Sequence, residues 1–215
     1  AELDARALEV ATTLANGADL IVSEKHDLPL VSFSITFLGG ANQFEPADRT
    51  GLASVTAAMM SEGTKSRDGE ALSNALQLLG TSVSTAIGGE SGSMNFVSTT
   101  GKFEQTIAIL SDMLLNSTFP ADALERLRAQ RLVALTQARS QPGAIAGRVF
   151  PRVLYGLNHP YGRVATEESI KALTRDDVVA FHGQYFQAGR ALVTVVGDVT
   201  AAGVNPVVEK ALTAW

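Results

Sequence analysis

Apolar and polar residues alternate strictly from residue 30 to 38. Val31, Phe33, Ile35 and Phe37 fall on one side, and Ser32, Ser34 and Thr36 on the other. This is the period of a strand with one buried face. Residues 7–14 and the run Leu20-Ile21-Val22 flank Ala15-Asn16-Gly17-Ala18, which predicts a hairpin, and His26-Asp27-Leu28-Pro29 marks the next turn. Two further strands are predicted over 82–87 and 91–99, around the turn Gly88-Gly89-Glu90. A last β-rich run, 190–196, precedes Gly197-Asp198.

The remaining pattern is helical. Leu52, Val55 and Met59 recur at i, i+3 and i+7, while Ala53, Ala57, Ala58 and Met60 make the other sides small and apolar. A helix buried on all sides is predicted there, closing near Glu62-Gly63. Asp68, three residues ahead of Ala71, is placed to cap a helix through Leu72, Leu76 and Leu79. Helices follow over 103–116 and from Pro120 to about 139, the latter with Leu124, Leu127, Leu132 and Leu135 on its apolar side and Gln141-Pro142-Gly143 as its stop. Others are predicted over 144–155, from Thr166 to 173, from Thr174 to about 187, and on to Trp215. Strands in antiparallel pairs and helices in runs predict an α+β fold: a mostly antiparallel sheet of five or six strands with helices on one face. With no linker or repeat, residues 1–215 read as a single domain.

Composition narrows the function. The chain of 215 residues is 46% hydrophobic and 18% charged, enough apolar content for a core. With 17 basic against 22 acidic residues and a net charge of −5, it lacks the footprint of a nucleic-acid surface. No apolar run reaches the ~20 residues of a membrane span, and the first residues lack a basic-then-apolar signal pattern. Residue 1 is Ala rather than Met, which suggests a processed or trimmed chain. Without cysteine there are no disulfides and no thiolate ligands. His26, His159 and His182 are scattered, none with a ligand partner at chelating spacing, whereas zinc needs three or four converging ligands. Ser54 has no nucleophile elbow around it and reads as a small core residue.

The run 51–67, Gly-Leu-Ala-Ser-Val-Thr-Ala-Ala-Met-Met-Ser-Glu-Gly-Thr-Lys-Ser-Arg, resembles the metal-site helix of the inverted-zincin peptidases of the pitrilysin and insulysin type. Mitochondrial processing peptidase and the core proteins of the respiratory cytochrome bc complex are relatives of that family. Active members carry H-x-x-E-H in this frame, two His for zinc and a Glu to activate water. Gly51, Leu52, Ala53, Met59, Gly63 and Thr64 match the frame, but the His-Glu-His positions fall on Ser54, Ala57 and Ala58. The third ligand, a Glu in the family, falls at Ala134, or at Val133 one residue earlier. The similarity continues through residues 79–86, where Ser84 and Thr85 stand for the family's Asn-Ala, through His159-Pro160-Tyr161-Gly162-Arg163, and through the closing strand 191–199.

The resemblance implies one half of a two-domain chain or subunit pair that encloses a chamber for unfolded peptide. It implies a degenerate, non-catalytic half without zinc, the metal being expected only in a catalytic partner subunit or second domain. Peptide would pair with the strand Ser84, Thr85, Ala86 and Ile87 by β-addition. Arg148 and Tyr155 have the spacing of a substrate-binding Arg and Tyr in the family's degenerate domains, but lie in the helix before His-Pro-Tyr and not in the expected strand region, so that role is not transferred. The alternatives are a structural scaffold like the respiratory core proteins, or an active peptidase with an unorthodox site. Exported bacterial members of the family point to the periplasm or beyond.

Overall fold

The computed structural model describes residues 9–215. Its six-stranded sheet comprises β1 (Glu9–Thr13), β2 (Asp19–Glu24), β3 (Leu30–Leu38), β4 (Ser84–Ile87), β5 (Ser91–Thr99) and β6 (Ala191–Gly197), in the spatial order β1-β2-β6-β3-β5-β4. The first two residues of the predicted strand 7–14 lie outside the described residues. Alternation sets the layers, because every second residue of β3 and β5 faces the core: Phe33 pairs with Phe96 and Ile35 with Met94 across one ladder, and with Val195 and Val193 across the other. These six side chains are almost wholly buried. The facing positions Ser32, Asn95 and Val97 are exposed, so the helices cover one face, as predicted.

One feature of the sheet differs from the expectation of antiparallel pairs. β6 lies between β2 and β3, antiparallel to β3 but parallel to β2. The turn at 26–29 therefore joins two strands that are not paired with each other, the gap between them being filled by a strand that arrives after all the helices but the last. Such a long excursion is what allows a parallel pairing.

The helices are α1 (Ala41–Phe44), α2 (Leu52–Met59), α3 (Gly69–Leu78), α4 (Phe103–Asn116), α5 (Ala121–Ala138), α6 (Pro142–Tyr155), α7 (Glu167–Lys171), α8 (Arg175–Tyr185) and α9 (Ala201–Leu212). None among the described residues is long and apolar enough to cross a membrane. Asp68 caps α3 as predicted, its carboxylate accepting the Ala71 N–H at 2.8 Å. Pro142 opens α6, two residues before the predicted start, because a proline's missing N–H costs nothing at the first helical position.

α2 ends at Met59, earlier than the expected stop at Glu62-Gly63. The reason lies in α4, where Asp112 accepts hydrogen bonds from the hydroxyls of Thr64 (2.6 Å) and Ser66 (2.5 Å) and pulls the loop after α2 away from the helix axis. Gly63, at φ +146°, and Thr64 then bridge to Asp68 and Ser117. Burial by itself raises the Asp112 carboxyl, but hydrogen bonds from Ser66, Thr64 and Asn116 and the charge of Arg67 outweigh it and hold the group below its usual range. Asp112→Ala, which leaves both hydroxyls without their acceptor, is expected to cost about 2 kcal/mol in denaturant melts at neutral pH. A depressed folded-state value gives a contribution that is complete above the unfolded value of about 3.9 and lost as pH falls through the folded one. The gap between wild type and variant should therefore narrow in acid.

Candidate functional site

The site is built around α2. Gly51, its N-cap, takes φ +107°, and a Cβ there would sit 2.6 Å from Ile170 Cδ1, so glycine is required twice over. Glu45, six residues upstream, turns its carboxylate back onto the helix start and accepts the N–H groups of Gly51 and Ala53, both at 2.8 Å. Anionic capping of this kind satisfies otherwise orphaned donors and complements the helix dipole. Burial raises the Glu45 carboxyl, and its backbone donors and Arg163 pull it part of the way back.

Beyond this cap the helix is wedged against α8, α5 and β4. Ala57 is buried, while Ser54 and Ala58, one turn apart, are half-buried. Ser54 lines a cavity of about 180 Å³ together with Gly51, Arg131, Ala134 and Ile170. The structure thus brings Ser54 and Ala134 to one place; Val133 is 56% exposed and outside the cavity lining, as are Ala57 and Ala58. The donor set does not fit zinc. Ala57, Ala58 and Ala134 offer methyl groups, and the Ser54 hydroxyl donates to its own Gly51 carbonyl at 3.0 Å.

The three histidines are engaged elsewhere. His26 bonds Asp198 at 2.8 Å. His159 accepts the Tyr161 N–H at 3.2 Å. His182 bonds the Leu114 carbonyl at 3.0 Å in a half-buried position, and desolvation there lowers its pKa against the opposing effect of that bond. Among the described residues no group of three or more His, Cys, Asp or Glu is arranged to hold a metal ion. Among the described residues Ser54 has no imidazole or carboxylate as a hydrogen-bond partner, the base a serine nucleophile requires.

Ser84, Thr85, Ala86 and Ile87 form the edge strand β4, next to α2. Among the described residues it pairs with β5 alone, from Ser84 opposite Asn95 to Ile87 opposite Gly92, which leaves its outer backbone groups free of the sheet. The strand begins two residues later than predicted, because the Thr81 hydroxyl binds the Val97 carbonyl at 2.6 Å and holds the lead-in off the ladder. Its far end is fixed as well: the N–H groups of Ala41 and Asn42 bond the carbonyls of Gly88 and Gly89, locking the β4–β5 turn onto α1.

The family model for insulinase, peptidase family M16, matches residues 20–154. The chain belongs to the M16 family. A second model, that of the M16 peptidase inactive domain, matches residues 172–215. Among M16 relatives, the non-peptidase homologue YmxG of Helicobacter pylori is 26% identical over 182 residues, covering 84% of this chain and 42% of that one. The Pseudomonas fluorescens structure described as a peptidase M16 inactive domain superposes with a TM-score of 0.88 at 26% identity, over 96% of this chain and 50% of its own. The first half of the periplasmic protease PqqL from Escherichia coli shares the fold, with a TM-score of 0.81 at 17% identity over 95% of this chain and 46% of that one. The chain thus spans about half the length of the relatives it matches.

Periodicity did not single out Glu45 or Arg131. Arg131 is legible in hindsight as the residue one turn before Ala134 on α5, and Glu45 as an acid shortly before a Gly that opens a helix. Glu45→Ala should destabilise the fold by about 1–2 kcal/mol, the worth of a lost N-cap, whereas Ser54→Ala should change it by less than ~0.5 kcal/mol. Thermal melts of the two variants side by side check the assignment of the structural role to the cap and not to the serine.

Proposed function

We propose that this chain is a non-catalytic M16 domain that helps to enclose the substrate chamber, holds unfolded peptide along β4, and depends on a zinc-bearing partner subunit or second domain for hydrolysis. The observation that carries the reading is the cavity between α2 and α5: Ser54 and Ala134 meet there, where the family frame puts metal ligands, and neither can bind zinc. Ala57 and Ala58 complete the degenerate set, so zinc belongs to the partner. The naming of YmxG as a non-peptidase homologue and of the Pseudomonas structure as an inactive domain supports a non-catalytic role. The half-length match supports a companion of similar size. That PqqL is called periplasmic supports an exported protein.

β4 is suited to peptide because main-chain pairing asks for a free strand edge and no particular side chains. Alternate side chains of a bound segment would lie over the exposed Ser84 and Ala86 and the half-buried Thr85 and Ile87. A second reading, an assembly scaffold with no substrate, is favoured by the uncovered apolar side chains of α6. Hydrogen exchange separates the two. With an unfolded peptide in excess, slowed exchange confined to residues 84–87 supports the peptide-holding role, and unchanged exchange there leaves the scaffold.

A further inference from the structure

Arg49, Arg67, Arg126, Arg128 and Arg139 each hold a carboxylate. Arg152 and Arg163 hold none among the described residues, and both line one cavity of about 470 Å³. α6 puts the first of them there. Its Val149, Phe150 and Val153 face out, while Arg148 and Arg152 turn toward the protein. Arg148 donates to the Ala165 carbonyl at 2.6 Å, which ties the loop after α6 to the helix. Arg152 reaches the cavity, its Nε buried without a partner. Leaving a buried donor unmade is costly, so a guanidinium kept in this state points to an acceptor that arrives from outside.

The rest of the lining narrows the ligand. Arg163 lies near enough to Glu45 to draw its carboxyl down, but that group is committed to the N–H groups of Gly51 and Ala53. Two acids share the lining: Asp48, already paired with Arg49, and the exposed Glu168. Two cations facing two acids suit a ligand with one negative charge and disfavour the second charge of a phosphate. The planar fork of an arginine matches a carboxylate. Leu157 and Val164 add apolar wall beside the arginines, and the volume lies within the range of ligand pockets. A carboxylate that carries one apolar side chain fits, as at the last residue of a peptide.

The elements that wall the cavity also meet the far end of β4. Gly88 and Gly89, in the turn after that strand, hold α1 by its N–H groups, and the chain runs from α1 into Ala47 and Asp48 of the lining. α1 touches residues 160–162. A hydrogen bond to Glu90, in the same turn, raises the Tyr161 hydroxyl, and the chain continues from Tyr161 into Gly162 and Arg163 of the lining. We propose that this cavity binds the C-terminal carboxylate of the peptide through Arg152 and Arg163, with an apolar last side chain against Leu157 and Val164. The peptide rests on the reading of β4 given above; the carboxylate rests on the two arginines.

One unfolded peptide with uncharged side chains and a terminal Leu, supplied as the free acid and as the C-terminal amide, tests the two separately by hydrogen exchange. The acid should slow exchange over residues 84–87 and over 162–166, and the amide over 84–87 alone. By fluorescence anisotropy the acid should bind about tenfold more tightly. Arg163→Gln, with circular dichroism unchanged, should abolish both differences, whereas Lys210→Gln, an equal loss of charge at an exposed ion pair, should keep them. N-acetyl-leucine, a carboxylate with no strand to lay on β4, should compete at least ~10-fold more weakly than the peptide. Slowing over 84–87 with none over 162–166, or with acid and amide alike there, overturns the inference and leaves the β4 reading standing. Slowing by the acid over 162–166 alone overturns the β4 reading and supports the carboxylate site. No slowing in either segment overturns both. An acid preference that survives Arg163→Gln overturns the inference, and N-acetyl-leucine that competes as well as the peptide overturns the peptide as the source of the carboxylate.

Discussion

Everything in this domain leans on the burial of α2. Six of its eight residues are buried, and three elements close on it: α8, α5 and the edge strand β4. A helix apolar on every side forms only if its ends are satisfied and its surroundings are dry. Glu45 supplies the first condition, turning a buried carboxylate onto the backbone donors of Gly51 and Ala53. The second comes from Leu52, Val55 and Met59, which enter the same core cluster as Phe33, Phe96 and Val178.

This dependence explains how a peptidase frame can outlast its chemistry. Gly51 is fixed by a positive φ and the closeness of Ile170, and Leu52, Ala53 and Met59 by burial. Gly63 is fixed by φ +146° and Thr64 by Asp112. All six positions that match the M16 motif therefore have work in the fold. Ser54, Ala57 and Ala58, where His, Glu and His would stand, have little of their own: Ser54 bonds its own helix start, and the two alanines fill space. Removing the ligands costs the fold almost nothing, while removing the frame would unmake it.

The strands were legible because alternation fixes both the element and its buried face; the bounds of β3 and β5 are those read from the pattern. The position of β6 between β2 and β3 was not, since local sequence carries no record of which distant strand fills a gap. α6 shows a second limit. Its stripe predicts a helix, but period alone does not say which side the protein covers, and here the arginines took the inner one. The meeting of Ser54 and Ala134 followed from the family resemblance and not from spacing, because the two lie in separate helices joined only through the fold. Arg131 and Glu45 escaped notice because charged residues on predicted helices and loops usually read as solvated.

The central claim is that the M16 frame persists here without a metal site. Zinc titration of the purified chain, followed by dialysis and mass spectrometry of the bound metal, tests it most directly. The account predicts zinc well below one equivalent per chain. Close to one tightly held equivalent would contradict it, and would mean that ligands outside Ser54, Ala57, Ala58 and Ala134 form a true centre.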